Sequence, residues 1–349
     1  MAVYFIGLFI VFANSILTYQ KRIRVHDYRT FEKFYWFTCI YLCVIAAIRY
    51  DVGQDYGAYL EIFYGSEMTV REPGYRLINT ISSWLGFSGQ FTIALYGIMT
   101  VVFAFLFIRN NSKFPVISVY IYFCFSAFYL QSLNIIRQAL AIYIFYYSIK
   151  YIKERKFVKY ILTILIGALF GHLTILVTIP LYFIISRKYT WKFKIIVVVI
   201  ISLSAKLVQT LLLYTPYGFY FQFGNAGKNV SFTFILETIL CLFFFLQAKK
   251  MEEENIEFYN MNFVLLCFTG MTVLNLNSAL AQYLERVMYY FVPAQLILIP
   301  EYLYATKRKD IKIFAIIIIF AIFFFYTVVL RGEVNNLVPY QVFWGKNLG

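Results

Sequence analysis

Apolar stretches close to membrane length follow one another along almost the whole chain, and no hydrophilic domain separates them. They run Ala2–Tyr19, Phe34–Ile48, Gln90–Ile108, Phe114–Leu130, Gln138–Ile149, Ile195–Leu213, Ser231–Gln247, Phe258–Leu274, Val287–Tyr304 and Ile313–Leu330, with a further uncharged stretch at Tyr160–Ser186. In water such a chain could not hide its apolar surface: 62% of the 349 residues are apolar and 14% charged, against roughly a quarter charged in soluble proteins. A bilayer removes the difficulty, provided every backbone group is paired within its own segment. The fold class is therefore all-α, a polytopic transmembrane helix bundle. A soluble enzyme and a disordered tail are excluded.

The net charge of +14 would suggest nucleic acid in a soluble protein. In a membrane protein, basic residues crowd the cytoplasmic loops instead, so no nucleic-acid partner is expected. The five cysteines lie inside apolar runs and read as small core residues.

Topology turns on Tyr160–Ser186, which has 27 residues and basic flanks on both sides. As a hairpin with its tip near Gly171-His172, it keeps both flanks cytoplasmic. The later cytoplasmic loops then hold Arg187, Lys188, Lys192, Lys194, Lys249, Lys250, Lys307, Arg308, Lys309 and Lys312, ten in all, and the outer segments only Lys228, Arg286, Arg331 and Lys346, four. A single crossing inverts that ratio. Two full helices need ~40 residues, so each arm borrows from its basic flank, whose long side chains snorkel. The chain then makes about twelve crossings, with both termini outside. No repeat or linker divides it, so residues 1–349 form a single integral membrane domain. Its one sizeable outer loop is 49–89, within which Leu77, Ile78, Ile81, Trp84 and Leu85 fall at the spacing of an interfacial amphipathic helix.

Against this inward sorting, three outer arginines stand where a span meets the surface: Arg49, Arg137 and Arg286. Arginine grips phosphate oxygens bidentately; the alternative is a snorkelling anchor, salt-bridged to Asp51, Asp55 or Glu285. His172, at the hairpin tip, can take a proton near neutrality, or hydrogen-bond a neighbouring helix. His26 sits in a basic loop and reads as solvated. The block from Arg49 to Tyr59, then Arg71 to Arg76, interleaves Asp51, Asp55, Tyr56, Tyr59, Glu72 and Tyr75 with glycines. That mixture suits sugar hydroxyls and sugar faces; a loop closed by its own salt bridges is the competing account. No metal, P-loop or dinucleotide pattern is present.

Arg49-Tyr50-Asp51-Val52-Gly53-Gln54-Asp55-Tyr56 through Tyr59, followed by Glu72-Pro73-Gly74-Tyr75, resembles the signature of the EpsG-type branch of Wzy polysaccharide polymerases. Ile136-Arg137-Gln138-Ala139, Phe170-Gly171-His172-Leu173-Thr174, Glu285-Arg286 before an aromatic span and the tail from Asn335 to Tyr340 follow in order. Gly171 departs from the pattern, where a bulkier residue would be unremarkable. The resemblance implies a glycosyltransferase making O-antigen or capsule on the outer face of the bacterial cytoplasmic (inner) membrane. It would transfer the growing glycan from undecaprenyl diphosphate to the non-reducing end of a new lipid-linked repeat. The implied catalytic residues are His172, Asp55, Arg49, Arg137 and Arg286; the implied binding residues are Asp51, Tyr56, Tyr59, Glu72, Tyr75, Gln138, Tyr283 and Glu285. No cofactor or metal is implied, because the undecaprenyl-diphosphate-linked glycan substrates carry the energy. Besides these substrates and membrane lipids, the implied partners are a chain-length regulator and a flippase of the same pathway. Three other functions compete. A lipid-linked oligosaccharide flippase would want a cationic cavity open to both faces. A membrane O-acyltransferase would use a lone histidine but leaves the outer arginines unexplained. A ligase usually has a larger outer loop.

Overall fold

The computed structural model describes residues 1–20, 28–65, 70–214, 218, 232–251, 255–276, 279–306 and 309–346. Lys21, Arg22, Arg24, His26, Lys228, Lys307 and Arg308 lie outside the described residues. The chain forms two compact units, Met1–Leu176 with Ile299–Gly349, and Val177–Leu298.

The first unit holds α1 (Ala2–Gln20), α2 (Tyr28–Ile48), α3 (Tyr56–Phe63), α4 (Pro73–Trp84), α5 (Gly89–Asn111), α6 (Pro115–Cys124), α7 (Tyr129–Ser132), α8 (Ile136–Lys153) and α9 (Phe157–Phe170). Prolines open α4 and α6 at a position where a missing N–H costs nothing. Between Arg137 and Gln138 at its start and Lys150 and Lys153 in its last turn, helix α8 is mostly apolar and buried, with Tyr143, Phe145 and Tyr146 inside, so it is the core helix of the unit.

The two ends of this unit differ in chemistry. At one end Glu32 of α2 meets Arg109 of α5 at 2.7 Å, Lys113 meets Glu301 at 3.1 Å, and Lys153 donates to Asn111 at 3.2 Å. At the other end Gln90 of α5 donates to the Ala47 and Arg49 carbonyls at 2.7 and 3.0 Å. By helical rise the two ends are ~25–28 Å apart, close to the thickness of a bilayer's hydrocarbon core. The cations that sequence sorting assigns to the cytoplasm and the described part of loop 49–89 therefore sit at opposite ends.

In the second unit, the described helices include α10 (Leu181–Ile184), α11 (Trp191–Leu203), α12 (Ala205–Leu213), α13 (Phe232–Met251), α14 (Ile256–Leu274) and α15 (Ala279–Met288). Buried α14 is central and packs against α11, α13 and α15. Its Asn260 amide donates to the Ile185 and Arg187 carbonyls at 2.5 and 2.7 Å, pinning the chain just after α10. Two more helices follow, α16 (Gln295–Ala305) and α17 (Lys309–Phe325).

The helical membrane-type class expected from the sequence is what the structure has; the strands among the described residues are β1 (Arg49–Tyr50) and β2 (Gln341–Val342), paired antiparallel. Among the described residues, four helical stretches are long and apolar enough to cross a membrane: Phe31–Ile48, Gly89–Asn111, Ile256–Leu274 and Ile311–Leu330. A fifth arises if α11 and α12, bent by 54°, count as one. The other apolar stretches are cut into shorter helices. Phe114–Leu130 breaks after Cys124, Tyr160–Ser186 breaks at Gly171 and continues as a 3₁₀ turn, and Val287–Tyr304 breaks before Pro293. Hence length and composition account for fewer spans than the apolar stretches suggest.

Helix α4 carries its apolar side outward. Leu77, Ile81, Trp84 and Leu85 are exposed, Trp84 at 82%, while Tyr75, Asn79 and Ser82 face the protein. That is the arrangement of a helix whose outer face meets an apolar medium.

Candidate active site

Each residue of Glu72-Pro73-Gly74-Tyr75 does separate work. Proline disfavours helical geometry in the residue before it, and Glu72 is extended (φ −74°, ψ 111°) at the start of α4. Gly74 lets that start press onto the end of α9, since a Cβ there would lie 2.7 Å from both the Leu169 carbonyl oxygen and the Phe170 ring. Tyr75, fully buried, packs its ring 5.2 Å from the Arg137 guanidinium, and Tyr59 of α3 lies 5.9 Å from the same group. Such stacking suits a planar cation. Burial raises the Tyr59 phenol above its usual range, and Arg137 beside it works against that shift.

The Glu72 carboxylate, 4% exposed, is the meeting point. One oxygen lies 2.6 Å from Arg137 Nη1. The other accepts the Leu173 backbone N–H at 3.3 Å and lies 4.0 Å from His172 Nε2. On its far side, His172 Nδ1 is 3.2 Å from the Thr174 N–H and 2.8 Å from the Thr174 hydroxyl. Gly171 makes this convergence possible: a Cβ would sit 2.7 Å from the Gly167 carbonyl oxygen and 3.0 Å from Ala141 Cβ. Ala141 is one turn beyond Arg137 on α8, so close approach at Gly171 lets His172 and Arg137 reach the same carboxylate. A bulkier residue does not fit here, unlike the sequence expectation. The Tyr96 hydroxyl donates to the Phe170 carbonyl, tying α5 to the same break.

Arg49 is differently placed. Its side chain is 0% exposed, and all three guanidinium nitrogens are buried without a hydrogen-bond partner among the described residues. Tyr4, Tyr59, Tyr129 and Tyr340 are its electrostatic neighbours, but Tyr129 and Tyr340 donate to the Leu42 and Ile45 carbonyls, at 2.9 and 2.7 Å. The strand pair β1–β2 closes over this end of α2, Arg49 opposite Val342, with a further bond from the Phe343 N–H to the Ile48 carbonyl at 3.1 Å.

The intervening loop is clamped from two sides. Gly53 has φ +96°, and a Cβ on it would strike the Leu133 carbonyl at 2.5 Å. The Asp55 N–H donates to Asn134 Oδ1 at 2.9 Å. From the tail, Asn336 accepts the Gly53 N–H at 2.8 Å and gives its amide to the Gly53 carbonyl and Asp51 Oδ1, at 3.3 and 3.4 Å. Asp51 is exposed and Asp55 half-buried at the start of α3. The Tyr56 hydroxyl donates to Gln90 Oε1 at 2.6 Å and Gln138 is buried in α8. Asn134, Thr174, Asn336 and the ring formed by Tyr4, Tyr129 and Tyr340 were not legible as site residues, although Asn336 and Tyr340 sit in the tail block that resembles the family.

Tyr283, Glu285 and Arg286 belong to α15 in the second unit, where Arg286 is exposed and the Tyr289 hydroxyl lies 3.5 Å from Glu285 Oε1. Among the described residues no group of three His, Cys, Asp or Glu side chains is placed to hold a metal ion. Chemically, the first unit presents a guanidinium, a carboxylate and an imidazole in one half-buried cluster: a cation for developing negative charge beside a group that can move a proton.

No curated protein and no solved structure matches the chain significantly. A family model described as the EpsG family matches residues 32–342, which takes in the Glu72, Arg137 and His172 cluster, the loop over Arg49 and the tail that clamps it. The chain belongs to the EpsG family, associated with glycosyltransferase-like polysaccharide polymerase activity.

Proposed function

We propose that this protein polymerises lipid-linked oligosaccharide repeats, moving the growing glycan from undecaprenyl diphosphate to the non-reducing end of a new lipid-linked repeat. The reaction takes place at the outer face of a bacterial cytoplasmic membrane, in a chain of about twelve crossings with both termini outside. The carrying observation is one carboxylate, Glu72, that holds Arg137 at 2.6 Å and lies 4.0 Å from His172 Nε2, at the end of the first unit opposite Arg109, Lys113 and Lys153.

The acceptor hydroxyl attacks the anomeric carbon as the bond from that carbon to the diphosphate oxygen breaks. The electron pair leaves with the lipid diphosphate, whose charge Arg137 stabilises in a low-dielectric site, and the hydroxyl proton passes to His172. The carbon goes through an oxocarbenium-like state. The energy comes from the lipid diphosphate, so no nucleotide or other cofactor takes part. Asp51 and Asp55, the more accessible carboxylates, suit sugar hydroxyls. A chain-length regulator and a flippase are the expected pathway partners.

The test is deletion of the gene followed by gel analysis of surface polysaccharide and of the lipid-linked pool. Single repeats on the carrier at the outer face support polymerisation. Loss of all outer-face material would mean a flippase instead.

A further inference from the structure

Both oxygens of Glu72 are engaged within the protein, one by Arg137 at 2.6 Å, the other by the Leu173 N–H at 3.3 Å with His172 Nε2 at 4.0 Å. A carboxylate that recognises sugar would need an accessible oxygen, and this residue is 4% exposed. The imidazole carries a second clue. A backbone N–H can only donate, so Nδ1, which accepts the Thr174 N–H at 3.2 Å, bears no proton in the neutral ring. The ring hydrogen is then on Nε2, the nitrogen that faces Glu72. A carboxylate on that side favours this tautomer, because the group facing one ring nitrogen sets which nitrogen carries the proton.

We infer that Glu72 is a positioning residue, which together with the Thr174 N–H holds His172 as its Nε2–H tautomer and orients Arg137, rather than a residue that binds sugar. Nδ1 is then the nitrogen that receives a proton, its one lone pair shared between the Thr174 N–H at 3.2 Å and the Thr174 hydroxyl at 2.8 Å until an acceptor hydroxyl reaches it. The motif around Glu72 agrees, because Pro73 and Gly74 serve only to seat it against the end of α9. The inference rests on the proposed function in one respect, that Arg137 and His172 act on the substrate.

The chain has two histidines, so His26→Gln leaves His172 as the only one. In that background, protein labelled with ¹⁵N-histidine in nanodiscs, held alkaline enough to keep imidazole neutral, reports by NMR which ring nitrogen carries the proton. One tautomer, with the proton on Nε2, is expected. Glu72→Gln offers a single oxygen and cannot serve both Arg137 and Nε2–H. It should give a tautomer mixture and lower kcat for polymerisation ~10–100-fold, the usual worth of such orienting partners, with KM for the lipid-linked repeat little changed. Glu72→Asp, which keeps both oxygens and the charge, should recover part of kcat and the tautomer preference. A proton on Nδ1 or a mixture in the unsubstituted Glu72 protein would overturn the inference without any variant having to fold. So would a Glu72→Gln protein that keeps the Nε2–H tautomer and loses activity through KM alone. Because the tautomer is read without turnover, failure of the polymerase reading would leave this result standing.

Discussion

Arg49 and Arg137 carry the same side chain into opposite surroundings. Arg137 has Glu72 beside it and keeps 18% of its side chain exposed, so an incoming diphosphate can reach it. Among the described residues Arg49 has no counter-ion, its side chain is not exposed, and a buried charge without a partner costs several kcal/mol. Replacing Arg49 with Met, similar in length and uncharged, should raise thermal stability by ~1–4 kcal/mol. If Arg49 also serves the reaction, the same variant makes no polymer. A protein that melts higher and polymerises normally would show that Arg49 has no part in turnover. For His172, Gln keeps the size and a hydrogen-bonding group, so His172→Gln should insert normally while polymerisation falls ~10²–10⁴-fold and single lipid-linked repeats accumulate. Purified enzyme assayed across pH decides the point. A wild-type rate that does not rise between about pH 5.5 and 7.5, where an ordinary imidazole loses its proton, together with near-normal turnover of His172→Gln, would remove the base assignment and make Asp55 the next candidate.

Helix α4 links the cluster to its surroundings: its first turn seats Glu72, and its later turns show Leu77, Ile81 and Trp84 to the outside. Gly74 is the contact on which the seating depends. Gly74→Ala places a methyl 2.7 Å from the Leu169 carbonyl oxygen, which α4 can relieve only by backing away from α9. Polymer formation should drop at least tenfold while membrane levels of the protein stay near normal, measured by gel and immunoblot. Retained activity would mean that the start of α4 has slack. The amphipathic spacing of α4 was legible in the sequence, because exposed Leu and Trp at helical intervals mark a face whichever way it points. That Glu72 would meet Arg137, 65 positions later, was not legible, because the meeting depends on two glycines removing the bulk between helices, and spacing records nothing of that.

At the scale of the molecule, the helical membrane class was readable from composition, and in the first unit the Glu32–Arg109 pair and the loop over Arg49 lie at opposite ends. The number of crossings was harder to read, since a run of apolar residues looks the same whether it forms one helix or is broken at a glycine, a 3₁₀ turn or a proline. The hairpin at Tyr160–Ser186 has a direct check. In a background without native cysteines, Glu61→Cys should react with an impermeant maleimide added from outside. Lys156→Cys and Lys188→Cys, also exposed positions, should both stay unlabelled. Labelling of either one of the two lysine positions would turn the hairpin into a single crossing.

The pairing of Arg49 with Val342 also sets a timetable. Membrane chains are made from the N-terminal end at ~5–20 residues per second, and roughly three hundred residues separate the two strands, an interval of about 15–60 s. Until the second strand emerges, the guanidinium at the end of α2 has Tyr4, Tyr59 and Tyr129 beside it but lacks Tyr340 and the paired strand, and water can still reach it. Desolvation of this cation is therefore among the last events of biogenesis, and sealing it requires that the preceding helices are already in place.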